Sequence, residues 1–393
     1  MTPFPFAKRM DGLTGNAIRE ILKLTQSPDV ISFAGGLPSA DSFPADAIRR
    51  ISADLMAKDL AGLLQYSTTE GYPPLRAFIA EWVKERGIEA SPDEVLLLTG
   101  SQQGIDLACR AFLDPGDTVL VERPTYLAAL QLFRLYQARV EAVPTDAAGM
   151  DIEALERAIV QHRPKLIYLV PTFRNPSGET WSAPRRQAAA ALARRYGVII
   201  VEDDPYSSLR YEGSPVPAVA AYAEGGHVIY LGSFSKIVAP GLRVGYAVAH
   251  PEILRRLVIG KQAADVHTSN YSQAVVARFC TSGALSGHIE KVCALYRTRR
   301  DCMLEAMARH FPAGARWTRP EGGLFVWVTL PEGISTAQKL PEAIEERVAF
   351  IPGDPFFHDG TGQNTMRLNF SNASLEQIES GIERLGRVLS RAL

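Results

Sequence analysis

From about residue 90 to residue 290, short apolar runs recur between stretches whose apolar residues fall at helical spacing, and no other feature of the 393-residue chain narrows its fold as much. The runs are "EVLLLT" (94–99), "TVLVE" (118–122), "LIYLV" (166–170), "VIIVED" (198–203), "HVIYLGS" (227–233) and "VGYAVA" (244–249). They are apolar throughout rather than at alternate positions, the pattern of strands covered on both faces. Stretches such as "QQGIDLACRAFL", "TYLAALQLFRLY" and "RRQAAAALARRYG" supply the covering helices. The expected architecture is α/β, a large domain with a mostly parallel sheet sandwiched by helices. The last run follows its predecessor after only ten residues, too few for a helical crossover, which leaves room for an antiparallel strand.

Beyond about residue 286 the pattern changes to a long charged helix, "HIEKVCALYRTRRDCMLEAMARHF", then "GGLFVWVTL", "TMRLNFS" and a closing helix. That last helix places Leu375, Ile378, Ile382, Leu385, Leu389 and Leu393 at steps of three and four, so it is amphipathic. Two helices with two or three strands make a smaller α+β domain. The expected division is 1–45 for an N-terminal arm that joins the small domain, 46–285 for the large domain and 286–393 for the small one.

With 42 Lys+Arg against 43 Asp+Glu, the chain has no excess charge with which to hold nucleic acid or an acidic membrane, and neither is expected as a partner. The four cysteines form no CxxC pair and the seven histidines no HxxxH or HExxH spacing, so neither a disulfide framework nor a metal site is indicated. Cys109, within a helical stretch, reads as a small buried hydrophobe. No apolar run reaches the ~18 residues of a membrane span, and "MTPFPFAKRMDG" lacks the apolar core of a signal peptide. A reduced, cytoplasmic protein is the expectation.

In open α/β sheets ligands bind beyond the carboxyl ends of the strands. The residues at those ends carry chemistry. "TGSQQG" would open a helix at Ser101, Gln102 and Gln103, whose free N–H groups can hold a phosphate. "PTFRNPSG" sets Asn175 in a turn, "EDDPY" puts Asp203 three residues from Tyr206, and "GSFSKIVAPGLRVGY" supplies Ser233, Ser235, Lys236 and Arg243. Each has an ordinary explanation when taken singly: a turn, a helix cap, a solvated charge. Together, a phosphate cradle, an acid, a phenol, an amide and an amine are what an electrophilic pyridine cofactor needs from a protein.

"RNPSG", "EDDPY", "SFSKIVAPGLRVGY" and "MRLNFSN" resemble the class I/II pyridoxal-phosphate aminotransferases of fold type I. "IREILKLTQSPDVISFAGGLPSADSFP" and "QYSTTEGYPPLR" further resemble the subgroup of 2-aminoadipate and kynurenine/aminoadipate aminotransferases, and the likeness runs through essentially the whole chain. It implies pyridoxal 5'-phosphate as cofactor, with Lys236 as its Schiff-base lysine and proton shuttle, Asp203 on the ring nitrogen, Tyr206 and Asn175 on the ring's 3' oxygen, and Tyr126 stacked on the ring. Ser101, Gln102, Ser233, Ser235 and Arg243 would hold the phosphate. Tyr66 would reach it from the other subunit of a homodimer. Arg367 would fork onto the substrate α-carboxylate, as a planar guanidinium suits. Gly35 and Gly36 would let backbone approach the same carboxylate.

The reaction implied is a ping-pong transfer of an amino group from an L-amino acid to a 2-oxo acid such as 2-oxoglutarate. In the resembled subgroup the arginine of the "IRE" helix, here Arg19, reaches the distal carboxylate of glutamate or aminoadipate. A solvated helix arginine is the alternative. Gly15 and Asn16 depart from the subgroup in that helix. Arg174 stands where an uncharged residue is usual, and would either bind a side-chain carboxylate or pair with a protein acid. Two rivals stay open at this point: β-elimination on the same cofactor, and a ligand-sensing effector domain. The latter would carry an N-terminal winged-helix module, whereas here the arm motif begins by residue 10.

Overall fold

The computed structural model describes residues 4–11 and 29–391. Arg19, Gly15 and Asn16 lie outside the described residues, as does Leu393.

Seven strands form the main sheet: β1 (Val95–Leu98), β2 (Thr118–Glu122), β3 (Arg139–Val143), β4 (Leu166–Leu169), β5 (Ile199–Asp204), β6 (Val228–Ser233) and β7 (Gly245–Val248). Their spatial order is β1-β7-β6-β5-β4-β2-β3. From β3 to β6 every pairing is parallel. β7 runs antiparallel between β6 and β1, as its short connection requires. Six of the seven are the apolar runs. The seventh, β3, reads "RVEAV" and sits at the sheet edge with its first residue exposed, so it needs no continuous apolarity.

Helices cover the sheet. α1 (Ala45–Leu64) precedes it; α2 (Ser101–Phe112), α3 (Leu127–Leu135), α4 (Ala183–Tyr196) and α5 (Pro251–Ala264) follow β1, β2, β4 and β7 in turn. α4 stops at Gly197, whose φ of +68° is the left-handed geometry that ends helices. The long α6 (Leu285–His310) packs against α7 (Leu375–Ser390). Ser374 and Gln377 close a capping box at the start of α7, and Ile378, Ile382, Leu385 and Leu389 are buried. Leu375, in the exposed first turn, is 46% accessible and falls outside the buried stripe the spacing suggested.

Beside α6 and α7 lies a second, antiparallel sheet of β8 (Arg316–Trp317), β9 (Phe325–Thr329), β10 (Ile351–Pro352) and β11 (Thr365–Asn369), in the order β8-β9-β11-β10. It has four strands rather than the expected two or three because β8 and β10 are two residues long, too short to leave a pattern. The chain enters beside this sheet. Ile31–Ser32 pairs in parallel with Val348–Ala349, and Phe33 O accepts the N–H of Asn369 at 2.9 Å, which lays residues 33–37 against β11.

Candidate active site

One pocket lies at the carboxyl ends of β4, β5 and β6 and the start of α2. Ser101, Gln102, Tyr126, Asn175, Asp203, Tyr206, Ser233, Ser235, Lys236 and Arg243 all line it. Ten residues scattered from 101 to 243 in sequence thus share one concavity.

Strand alternation explains why only one acid of "EDD" faces this pocket. Asp203 shares a sheet face with Val201, and Val201 sits opposite Tyr168 of β4. Accordingly the Tyr168 hydroxyl donates to Asp203 Oδ2 at 2.9 Å. Glu202 and Asp204 point the other way, Glu202 to the N–H groups of Val219 and Ala220, Asp204 to the hydroxyl of Tyr230 at 2.7 Å. Burial pushes the Asp203 carboxyl up to about 7, and the nearby Asp204 adds to the rise, against the pull of the Tyr168 and Ser101 hydroxyls. Its Oδ1 is buried without a hydrogen-bond partner among the described residues.

Lys236 and Arg243 come from the return between β6 and β7. Lys236 Nζ donates to Gly36 O at 2.7 Å. Burial lowers its amine to about 8, with the Arg367 and Arg243 guanidinium groups adding to the fall. Arg243 holds a left-handed φ of +54°, uncommon for a residue with a side chain, and its Nη2 donates to Thr99 O at 3.3 Å. Two glycines make this corner possible. A Cβ on Gly245 would lie 2.7 Å from Ser101 N, and one on Gly100, whose φ is +82°, would lie 2.3 Å from Arg243 Nη2. The N-terminus of α2 is thereby pressed against β7 with a guanidinium across its mouth.

Arg367, on β11, does not line this pocket but lies beside it, bonded to Asn175 of its wall. It is 1% exposed, donates from Nη1 to Asn175 Oδ1 and from Nη2 to Ala34 O, both at 2.8 Å, and lies 4.2 Å over the Phe325 ring. Burial lowers its guanidinium to about 10. Its Nε has no partner among the described residues. Tyr206 meets Phe325 edge to face, and burial raises its phenol. Tyr126 is pushed up to about 12 by burial and the nearby Asp203, and its hydroxyl is 3.4 Å from Gln102 Oε1.

Three residues fall elsewhere. Tyr66 is 80% exposed beside His267 and does not line this pocket. Gln103 turns from the pocket to bond Thr99, Asp265 and Lys261. Arg174 is buried between Glu179, to which it donates, and Glu122, 3.6 Å away. Of its two sequence readings, pairing with a protein acid is the one realised. Arg174→Ala is expected to cost about 3–5 kcal/mol in urea unfolding, because it leaves the buried Glu122 with the N–H groups of Val170 and Trp181 but without its cation, while leaving the ratio of KM values for acidic and aromatic substrates unchanged. A selective rise in KM for acidic substrates would return Arg174 to substrate recognition.

Tyr168 was not foreseen as a site residue. Its one signal is a hydroxyl in an otherwise aliphatic buried run.

The donor set fits a phosphorylated pyridine. At one end Arg243 and the α2 N-terminus offer charge and N–H groups for a phosphate; at the other the partnerless Asp203 Oδ1 offers an acceptor for a protonated ring nitrogen. Comparison with known proteins agrees. Residues 28–385 match the family described as "Aminotransferase class I and II". The chain is 44% identical over 394 residues to aromatic-amino-acid aminotransferase 1 of Thermococcus litoralis, covering 99% of this chain and 94% of that one. It is 44% identical over 391 residues to 2-aminoadipate transaminase of Thermus thermophilus, covering 99% and 97%. The crystal structure of Pyrococcus horikoshii kynurenine aminotransferase, in complex with PMP and kynurenine, superposes with a TM-score of 0.95 at 44% identity, covering 99% of this chain and 97% of that one. The chain belongs to the class I and II aminotransferase family. It is an aminotransferase, and its cofactor is pyridoxal 5'-phosphate.

Proposed function

We propose that this aminotransferase takes the amino group of an acidic L-amino acid, 2-aminoadipate or glutamate, within a wider range that includes aromatic ones, and passes it to a 2-oxo acid such as 2-oxoglutarate. One observation carries the reading of the site: the weakly basic Lys236 amine and the partnerless Asp203 oxygen face one pocket, and the buried Arg367 is tied to Asn175 in its wall. The named relatives act on aromatic amino acids and 2-aminoadipate, which supports the substrate range.

When bound, the cofactor supplies a sink for the electrons left at the substrate Cα. The residues of the chain do the rest. Arg367 would grip the α-carboxylate with its two forked nitrogens, exchanging Ala34 O and Asn175 Oδ1 for carboxylate oxygens. Lys236 Nζ, uncharged far more often near neutrality than an ordinary lysine, would take the proton from Cα and return it to the carbon two bonds away. Asp203, held by Tyr168, would keep its negative charge against the ring nitrogen. Tyr206 and Asn175 would bond the ring's 3' oxygen and Tyr126 would cover its face. Ser101, Gln102, Ser233, Ser235 and Arg243 would hold the phosphate.

Residues 286–393 with the arm of 1–45 would form a smaller domain against the larger one of 46–285. The reading also includes a homodimer. α1 exposes Met56, Leu60 and Leu64 beside Tyr66, an apolar stripe that suits a second copy, with Tyr66 reaching the partner's phosphate. A cytoplasmic location suits the four unpaired cysteines.

A panel of single amino acids added to the holoenzyme without acceptor tests the substrate reading. Glutamate and aminoadipate are expected to change the visible absorbance of the bound cofactor and release one equivalent of 2-oxo acid. Arg19→Ala is expected to weaken these two about tenfold or more and to spare aromatic donors, the size of one lost charge-assisted hydrogen bond. An equal loss for both classes would remove Arg19 from side-chain recognition. Pyruvate and ammonia without an acceptor would instead identify a β-eliminating lyase.

A further inference from the structure

Lys261 is a buried cation for which the reaction has no use. It projects from α5 with no exposed surface and does not line the pocket. Its ammonium donates to Gln103 Oε1 at 2.7 Å, to Asp265 Oδ1 at 2.8 Å and Oδ2 at 3.0 Å, and to Thr268 Oγ1 at 3.1 Å. All three of its protons have acceptors.

The partners themselves lead to the pocket. Asp265 Oδ2 also accepts from Thr99 Oγ1 at 2.7 Å and Gln103 Nε2 at 2.8 Å. Gln103 Oε1, besides holding Lys261, accepts the backbone N–H of Thr99 at 2.9 Å. Thr99 O is the acceptor for Arg243 Nη2. Thr99 and Gln103 therefore bracket the turn Gly100–Ser101–Gln102, which opens α2, and both are fixed from behind by the Lys261–Asp265 pair. Burying a lysine costs several kcal/mol of desolvation, and a hydrophobic residue of like size usually serves stability as well or better. Stability alone leaves the lysine unexplained.

We propose that Lys261 is a positioning residue for the phosphate end of the pocket. With Asp265 it fixes Thr99 and Gln103, and through them the aim of the Ser101 and Gln102 N–H groups and of the Arg243 guanidinium. This rests on the reading of Arg243 and the α2 N-terminus as the phosphate holder.

The test is equilibrium titration of the cofactor-free protein with pyridoxal 5'-phosphate and with pyridoxal, which has the same ring and aldehyde without the phosphate. The wild type is expected to prefer the phosphorylated ligand strongly. Lys261→Met is expected to lose roughly tenfold to hundredfold of that preference, the penalty of a cradle displaced by a fraction of an ångström, with pyridoxal affinity unchanged. Thr99→Val deletes one hydroxyl at constant shape, is expected to lose part of the preference, and decides the matter should the methionine variant fail to fold. An unchanged preference in the folded variants, or equal weakening of both ligands, overturns the proposal. Arg243→Ala separates the two levels. If it keeps the preference, the phosphate reading falls and the positioning role with it; if it loses the preference while Lys261→Met and Thr99→Val keep theirs, only the positioning role falls.

Discussion

Lys236→Ala is expected to lower transamination by ~10³-fold or more, because it removes at once the proton carrier at Cα and the amine that joins the cofactor. Among the described residues the pocket supplies no substitute amine: its other cation is the Arg243 guanidinium, and Arg367 is engaged with Ala34 and Asn175. The loss should fall on kcat, since Arg367 and the phosphate end remain to bind. Steady-state rates with a fixed amino donor check this, and turnover within about tenfold of wild type would sink the assignment of Lys236. The pH behaviour follows from the same geometry. With the amine lowered to about 8, capture of added pyridoxal phosphate by the cofactor-free wild type, trapped with borohydride, should rise with pH up to about 8 and level above it. A rise continuing to the usual lysine range near 10.5 would show that the surroundings do not activate this residue.

The second large effect is expected at Asp203. Asn keeps an oxygen for the Tyr168 hydroxyl but carries no charge, so Asp203→Asn should lower kcat by about 10²–10³-fold, the usual cost of deleting one preorganised electrostatic partner. Stability should move the opposite way. The folded carboxyl titrates at about 7 against the ordinary 3.8, so between those values the unfolded chain has released a proton that the folded one retains. Unfolding thus becomes easier as pH rises through this window, and the burden is complete above about 7. The cofactor-free Asp203→Asn protein should therefore resist urea better than the wild type at pH 8, with the advantage fading toward pH 4. Equal midpoints at pH 8 would show that burial does not penalise the Asp203 carboxylate, and a kcat within about threefold of wild type would show that it faces no developing charge.

Most of the lining of the pocket was legible where the chain turns at the end of an apolar run. Asp203 and Lys236 could be found because continuous apolarity marks a buried strand, and a charge just past its end stands out. Asn175 was legible through the Pro and Gly that follow it. Arg367 stood out inside an apolar strand for the same reason. What escaped has a common cause: the identity of a residue does not reveal the direction of its side chain. Arg174, one position from Asn175, turns into the interior toward Glu122 and Glu179. Lys261, in the ordinary-looking "IGKQAAD", reads as a solvated helix lysine, and only the fold brings Gln103 and Thr99 to it across more than a hundred residues. The strands β3, β8 and β10 escaped because an edge strand and two-residue strands leave no run to read.

Both cations that face the substrate end of the pocket lean on one short strip of chain. Arg367 Nη2 donates to Ala34 O and Lys236 Nζ to Gly36 O. On the proposed role, a carboxylate arriving at Arg367 would meet Nη1 and Nη2 already engaged and only Nε without a partner among the described residues, so at the first two it would gain only the difference between a charge-assisted hydrogen bond and the bond it displaces. Backbone carbonyls thus act as understudies for the substrate. On that reading they would keep the guanidinium aimed between turnovers and the amine aimed until it joins the cofactor, and they would blunt ground-state affinity without touching whatever contacts strengthen as the proton moves, which is the direction in which a catalyst gains rate.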